Sequence, residues 1–144
     1  MIRESLMSLY RRLRLGTYRQ IFHAIRERDG SLSATEAFSA DVIHLLGKPT
    51  ITQFAAYLGI SQPNATYKVN ALAQKGYVRK VTANADRREV RLEAGEKYAA
   101  YLREDSATLE SALEVIKSKY TEDELALAGR VISDLLHEME EKTA

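Results

Sequence analysis

The 144-residue sequence has no cysteine. That excludes a disulfide framework and a thiolate zinc site, and it fits a reducing cytosol. The opening residues MIRESLMSLYRRLRLG hold no long apolar run, so neither a signal peptide nor a membrane span is expected. Internal repeats and low-complexity tracts are missing. So are the GxGxxG, P-loop, GxSxG and HExxH patterns. The three histidines, His23, His44 and His137, stand apart on different expected helices, and His137 beside Glu138, Glu140 and Glu141 reads as a surface residue. The expectation is a cytoplasmic protein that is not an enzyme, with no catalytic residues, no metal site and no cofactor. One further absence is local: no acidic residue occurs between Gln53 and Asn84.

What is present is ordinary in bulk. Hydrophobic residues make up 45% and charged residues 28%, as in soluble globular proteins. The length suits one domain, or one domain with added dimerisation helices. Net charge is +1, yet its sign is segregated. Residues 1–30 carry seven arginines against three acids, residues 48–91 eight basic against two acidic side chains, and residues 92–144 six basic against thirteen acidic ones. A basic middle segment is the electrostatic footprint of nucleic-acid binding. The acidic third is expected to face away from phosphate.

The acid-free stretch contains TQFAAYLGISQPNATYKVNALAQK, residues 52–75. Phe54, Ala55 and Leu58 share one face of a short helix that Thr52 can cap. Gly59 tolerates the positive φ of a tight turn, Ile60 fills the corner, and Ser61 is a good N-cap for a second helix. There Ala65, Val69 and Leu72 mark the buried side. At about 100° per residue, Pro63, Tyr67, Asn70 and Gln74 point the other way, flanked by Asn64, Thr66 and Ala71, with Gln62 and Lys68 nearer the edges. A solvated helix of this length ordinarily carries several Glu and Lys. Amides, hydroxyls and an aromatic ring suit a helix that reads the major groove, because amides pair with adenine and small apolar groups touch the thymine methyl. The plain alternative is a helix pair packed inside an all-α domain. The expected DNA contacts are Ser61, Gln62, Pro63, Asn64, Thr66, Tyr67, Lys68 and Asn70.

Helical periodicity also covers residues 3–28, with Gly30 as the stop. Ser33-Ala34-Thr35-Glu36 forms a capping box for a helix whose buried face is read as Phe38, Val42, Leu45 and Leu46, ending at Gly47. Pro49-Thr50-Ile51 suggests a short edge strand. After Gly76, residues 77–81 and 89–92 alternate as strands around the polar loop TANADRR, which gives a hairpin with a basic tip. An arginine on such a tip, Arg87 or Arg88, suits the narrow minor groove, and Asp86 can hold a guanidinium in place. From Glu93 to about Lys119 the pattern is helical again, through Tyr98, Tyr101, Leu109, Leu113 and Ile116. Thr121 to Glu124 is another capping box. It opens a last helix on which Leu125, Ile132 and Met139 lie seven apart with Ala128 and Leu135 between, a seam that wants a partner helix.

The fold expected is mainly α with a small β-hairpin: a winged helix-turn-helix with long terminal dimerisation helices. Its parts are a dimerisation helix over residues 1–30, the DNA-binding domain over 31–93 and dimerisation helices over 94–144. Over almost its whole length the chain resembles the MarR family, the multiple-antibiotic-resistance type of bacterial transcription regulator. The resemblance rests on ITQFAAYLGISQPNATYKVNALAQKGYVRKV followed by ADRREV between terminal helices. It implies a homodimer on a near-palindromic operator in double-stranded DNA, usually as a repressor. It also implies that Asp86 and Arg88 match the family's Asp-x-Arg wing pattern. A small-molecule inducer between dimer helices and winged unit is implied as well, for which Tyr18, Phe22, Phe38, His44, Tyr98 and Tyr101 are candidate contacts, with a plain core role as the alternative. One departure stands out: Gly95 follows Leu92 closely, so the return strand of the wing is expected to be shortened. Two other classes compete with a DNA-binding repressor. One is a winged-helix module that binds protein, and the other is a regulator dominated by small-molecule or metal sensing.

Overall fold

The computed structural model describes residues 1–26, 32–82 and 89–143. Six helices and one hairpin occur among them. They run in the order α1 (Ile2–Arg26), α2 (Ala34–Leu45), α3 (Ile51–Leu58), α4 (Gln62–Gln74), β1 (Val78–Thr82), β2 (Val90–Ala94), α5 (Glu96–Lys119) and α6 (Glu122–Thr143). The chain divides into two compact units, Met1–Asp105 and Ser106–Ala144, with the boundary inside α5. The expected stop at Gly30 and the wing tip with Asp86, Arg87 and Arg88 lie outside the described residues.

In the first unit, α2 begins at the expected capping box. Glu36 N–H donates to the Ser33 hydroxyl at 3.2 Å, and Ser33 N–H donates to the Glu36 carboxylate at 3.0 Å. Leu32 before the cap and Ala37 after it are both buried, the arrangement of a hydrophobic staple. The inward face of α2 differs from the expected one. Ala37, Ser39, Ala40 and Ile43 are buried, while Phe38 is 46% and Leu45 72% exposed. Where α2 packs on α1, α4 and β2, Ile43 and three small side chains turn inward. Of the expected face, Val42 packs partly against the core, whereas Phe38, Leu45 and Leu46 are exposed.

Gly47 and Lys48 turn the chain through two consecutive left-handed residues, φ 71° and 57°. The cap of α3 is Thr50, not Thr52. Its hydroxyl accepts from Gln53 N–H at 3.1 Å, and its own N–H donates to the Gln53 side chain at 2.9 Å. Thr50 also bridges to Arg91, and Leu92 N–H donates to Pro49 C=O at 2.8 Å. The expected edge strand is therefore a single bridge beside β2, and Ile51 already belongs to α3. The core holds Phe54, Ala55, Ala65, Val69 and Leu72 from the helix pair, Val78 and Leu92 from the hairpin, and Ile21 from the end of α1.

The hairpin corrects the expectation of a short return strand. β2 runs five residues and pairs with all five of β1, from Val78↔Ala94 to Thr82↔Val90. Glu93 and Ala94 are strand, so α5 starts at Glu96 rather than Glu93. Gly95 makes this junction possible. Its N–H donates to Tyr77 C=O at 2.8 Å, and a β-carbon there would lie 2.4 Å from Gly76 O. Tyr98 then enters the core at 3% exposure, hydrogen-bonded to Asp41. Burial, reinforced by the Asp41 charge and hydrogen bond, pushes its phenol well above the usual range and keeps it protonated.

The second unit contains the C-terminal half of α5 and all of α6. Thr121 caps α6 as expected, accepting from Glu124 N–H at 3.2 Å while its own N–H donates to the Glu124 carboxylate at 3.0 Å. No residue of α6 is buried. Leu109, Leu113 and Ile116 on α5, and Val131, Ile132, Leu135, Leu136 and Met139 on α6, are all exposed in the single chain.

Candidate nucleic-acid interface

Helices α3 and α4 meet at Gly59, whose φ of 67° places it in the left-handed region, and Ile60 N–H closes the turn on Ala55 C=O at 3.0 Å. Ser61 caps α4, accepting from Asn64 N–H at 3.3 Å, and Pro63 occupies the first turn, where its missing N–H costs nothing. Ala65, Val69 and Leu72 are completely buried, which fixes the rotation of α4 about its axis. The opposite arc is then set. Gln62, Pro63, Asn64, Tyr67, Asn70 and Gln74 are exposed, Tyr67 at 76%, while Thr66 and Lys68 are half-buried at the flanks. All eight of the expected contacts on this helix and its cap thus lie on one side or at its edge.

Two of these groups are held by neighbours in ways the sequence did not disclose, and a third as expected. The Gln62 amide donates to the Thr52 hydroxyl at 3.2 Å. The Asn70 carbonyl accepts from the Lys80 ammonium at 2.5 Å, which ties α4 to the first strand of the hairpin. Ser61 is used by the cap. Among the described residues nothing bonds the Asn64 amide or the Tyr67 hydroxyl. Thr52 and Lys80 are therefore members of the site that pattern reading missed. The only signal was their position, ten residues from each partner in both cases.

The basic side chains divide in two groups. Arg79 pairs with Glu93 across the strands at 2.6 Å, and Lys48 approaches the same carboxylate at 3.7 Å. Arg91 bonds Glu89 and donates to Lys48 C=O at 3.2 Å, so it clamps the turn before α3 to the hairpin. Lys68 and Lys80 have no carboxylate partner among the described residues. Among the described residues, positive charge without a carboxylate partner thus lies beside the exposed arc of α4.

The remaining aromatic and histidine candidates are dispersed. Tyr18 is 38% exposed, and its hydroxyl accepts from Arg14 at 2.6 Å. Phe22 is 72% and Phe38 46% exposed, and His44 is exposed. Tyr98 is core, and the Tyr101 side chain lies outside the described residues. No cluster of three or more His, Asp or Glu side chains suited to a metal ion occurs among the described residues. Among the described residues no helix is long and apolar enough to cross a membrane.

Residues 41–89, which run from the end of α2 through the helix pair into the hairpin, match the model of the MarR family. An uncharacterized HTH-type transcriptional regulator of Bacillus subtilis, YcgE, is 28% identical over 98% of this chain and 90% of its own. The crystal structure of Streptococcus pneumoniae FabT in complex with DNA is similar over 97% of this chain and 96% of that one, at 25% identity and a TM-score of 0.56. A MarR-like transcriptional regulator from Thermotoga maritima, 20% identical, shares the fold over 96% of this chain and 94% of its own with a TM-score of 0.53. The capped helix pair, its acid-free outer arc, the in-register hairpin and these likenesses agree: the chain is similar to regulators of the MarR family over nearly its whole length, and it is a winged helix-turn-helix DNA-binding transcription regulator.

Proposed function

We propose that this regulator is a homodimeric repressor, working in the cytoplasm on a near-palindromic operator. Helix α4 lies in the major groove, and the tip of the hairpin, with Asp86, Arg87 and Arg88, approaches the minor groove. The observation that carries the reading is the outer arc of α4: it is free of acids, rich in amides, held in rotation by three buried side chains and flanked by uncompensated lysines. FabT, similar over nearly its full length, was solved in complex with DNA, which supports DNA binding here. Pairing is supported by α6, which buries nothing in the single chain while exposing Ile132, Leu135, Leu136 and Met139. An apolar stripe of that length is covered when a second copy supplies the facing helix.

The protein acts by binding rather than by catalysis. A small-molecule inducer fits the same reading, with Tyr18, Phe22, Phe38 and His44 as its candidate contacts, because these are the accessible members of the aromatic and imidazole set. It would act by favouring a dimer whose two recognition helices no longer match successive grooves.

The test is a gel-shift on the chain's own upstream region. A retarded complex is expected, weakening with salt by about 0.9 in log affinity per log unit for each phosphate neutralised. Asn64→Ala is expected to cost about 1–3 kcal/mol on the preferred duplex and far less on random DNA. No retardation at any salt concentration, with a protein partner captured through the same face, would establish the interaction-module alternative instead.

A further inference from the structure

We propose that Lys80, on the first wing strand, sets the base preference of the recognition helix by holding Asn70, so that the pair selects guanine rather than adenine at one position of each half-site. The inference rests on the DNA-reading function proposed above and adds a specificity-determining contact to it.

An unencumbered asparagine in the major groove reads adenine: its carbonyl accepts from the N6 amine while its amide N–H donates to N7. Asn70 is not unencumbered. An ammonium group can only donate, so the Lys80 contact at 2.5 Å occupies one lone pair of the Asn70 carbonyl and sets a positive charge against it, while the Asn70 amide hydrogens remain available. Both residues are exposed, Asn70 on the outer arc of α4 and Lys80 on β1. No acid between Gln53 and Asn84 neutralises the lysine, and no carboxylate pairs with it among the described residues.

The outward chemistry of the pair is therefore two donors and a positive charge: the Asn70 amide N–H beside the remaining N–H groups of Lys80. The adenine N6 amine, itself a donor, meets an acceptor already shared with a cation and the positive charge of that cation. Guanine offers N7 and O6, two acceptors side by side, which match. Gln62 provides an internal contrast. Its contact with Thr52 uses the amide nitrogen as donor, which leaves the carbonyl and one N–H available, the adenine pattern. Two amides on one helix thus read different bases, and the difference lies in the residue that holds each.

The experiment is selection of binding sequences from a random duplex pool by the full-length chain and by Asn70→Ala, Lys80→Met and Lys80→Arg. The relevant position is the one whose preference Asn70→Ala abolishes. The original chain is expected to favour guanine there by about tenfold or more over adenine, Lys80→Arg to keep that preference, and Lys80→Met to turn it toward adenine. Both positions are exposed, and circular dichroism of each variant is the check that it keeps the fold. A Lys80→Met protein that loses affinity equally on all sequences, with guanine still preferred, shows a simple phosphate contact and overturns the inference. So does an original chain that prefers adenine at that position. Absence of any enriched sequence with the original chain overturns the DNA-reading function itself, and this inference with it.

Discussion

Phe54 and Ile132 are both large apolar side chains, and they live in opposite circumstances. Phe54 is wholly buried among α3, α4 and the hairpin, whereas Ile132 is 60% exposed on a helix that buries nothing. The same division runs through the whole molecule. From Leu32 to Tyr98 the winged unit covers its core with its own elements. On α1, by contrast, Leu9, Tyr10, Leu13 and Leu15 are exposed until Ile21 reaches the core, and the second unit is bare throughout. A region that closes its own core needs no partner for its fold. A region with regular apolar stripes left open has its partner specified by those stripes. The proposed division of labour rests on this difference: in it the closed part presents the reading surface and the open part joins two copies.

Four substitutions test that division, and the largest effect is expected in the closed part. Phe54→Ala removes a fully buried ring and should cost about 3–5 kcal/mol in denaturant unfolding, by the same amount at low and high protein concentration. A cost below about 1 kcal/mol would mean that this core is loosely packed and that the contrast with the terminal helices is false. Next is Ile132→Glu, which places a charge in the open stripe. Sedimentation should then show monomers with the winged unit still folded by circular dichroism, and DNA affinity reduced about 100-fold or more, because the second half-site is no longer tethered. Retention of the dimer would remove α6 from the pairing surface.

Gly95→Ala sharpens the contrast at the junction of hairpin and α5. The added carbon meets Gly76 O at 2.4 Å, so the strand end must shift, and a loss of about 1–3 kcal/mol is expected in thermal unfolding. The smallest effect concerns Glu36, which bonds Lys75 at 2.9 Å. Burial raises its carboxyl, but the Ser33 backbone N–H, the Lys75 ammonium and the Ser33 hydroxyl outweigh this and bring it below the ordinary value. With a lowered folded-state value, its contribution is complete above the ordinary carboxylate range and is lost as pH falls through the folded value. Unfolding of Glu36→Gln should therefore differ from the original chain at neutral pH, and the two should converge in acid. A difference that persists unchanged in acid would assign the effect to lost packing rather than to charge.

The helix pair was legible because its signals are local and agree with one another. Ser61, Gly59 and the Ala65–Val69–Leu72 spacing each specify one feature, and all three features occur where they pointed. Helix α2 was misread on the same principle, since periodicity locates a face but cannot choose between a stripe of large residues and one of small residues. Phe38, Leu45 and Leu46 outrank Ala37 and Ala40 in hydrophobicity, yet the alanines, with Ser39 and Ile43, are the buried ones. The close spacing of Leu92 and Gly95 suggests a short return strand, yet Glu93 and Ala94 are strand, with Glu93 paired across to Arg79. The contacts Thr52–Gln62 and Lys80–Asn70 depend on how α4 crosses α3 and the hairpin, so no single stretch of sequence encodes them.

The central claim, that the closed unit reads DNA and the open helices supply a second reader, is tested most directly by protection mapping of the operator at saturating protein. The account predicts two protected patches on one face of the duplex, in major grooves about 10 base pairs or a multiple of that apart, with related sequences in opposite orientation. A single protected half-site at saturation, or protection without any repeated sequence, would contradict it.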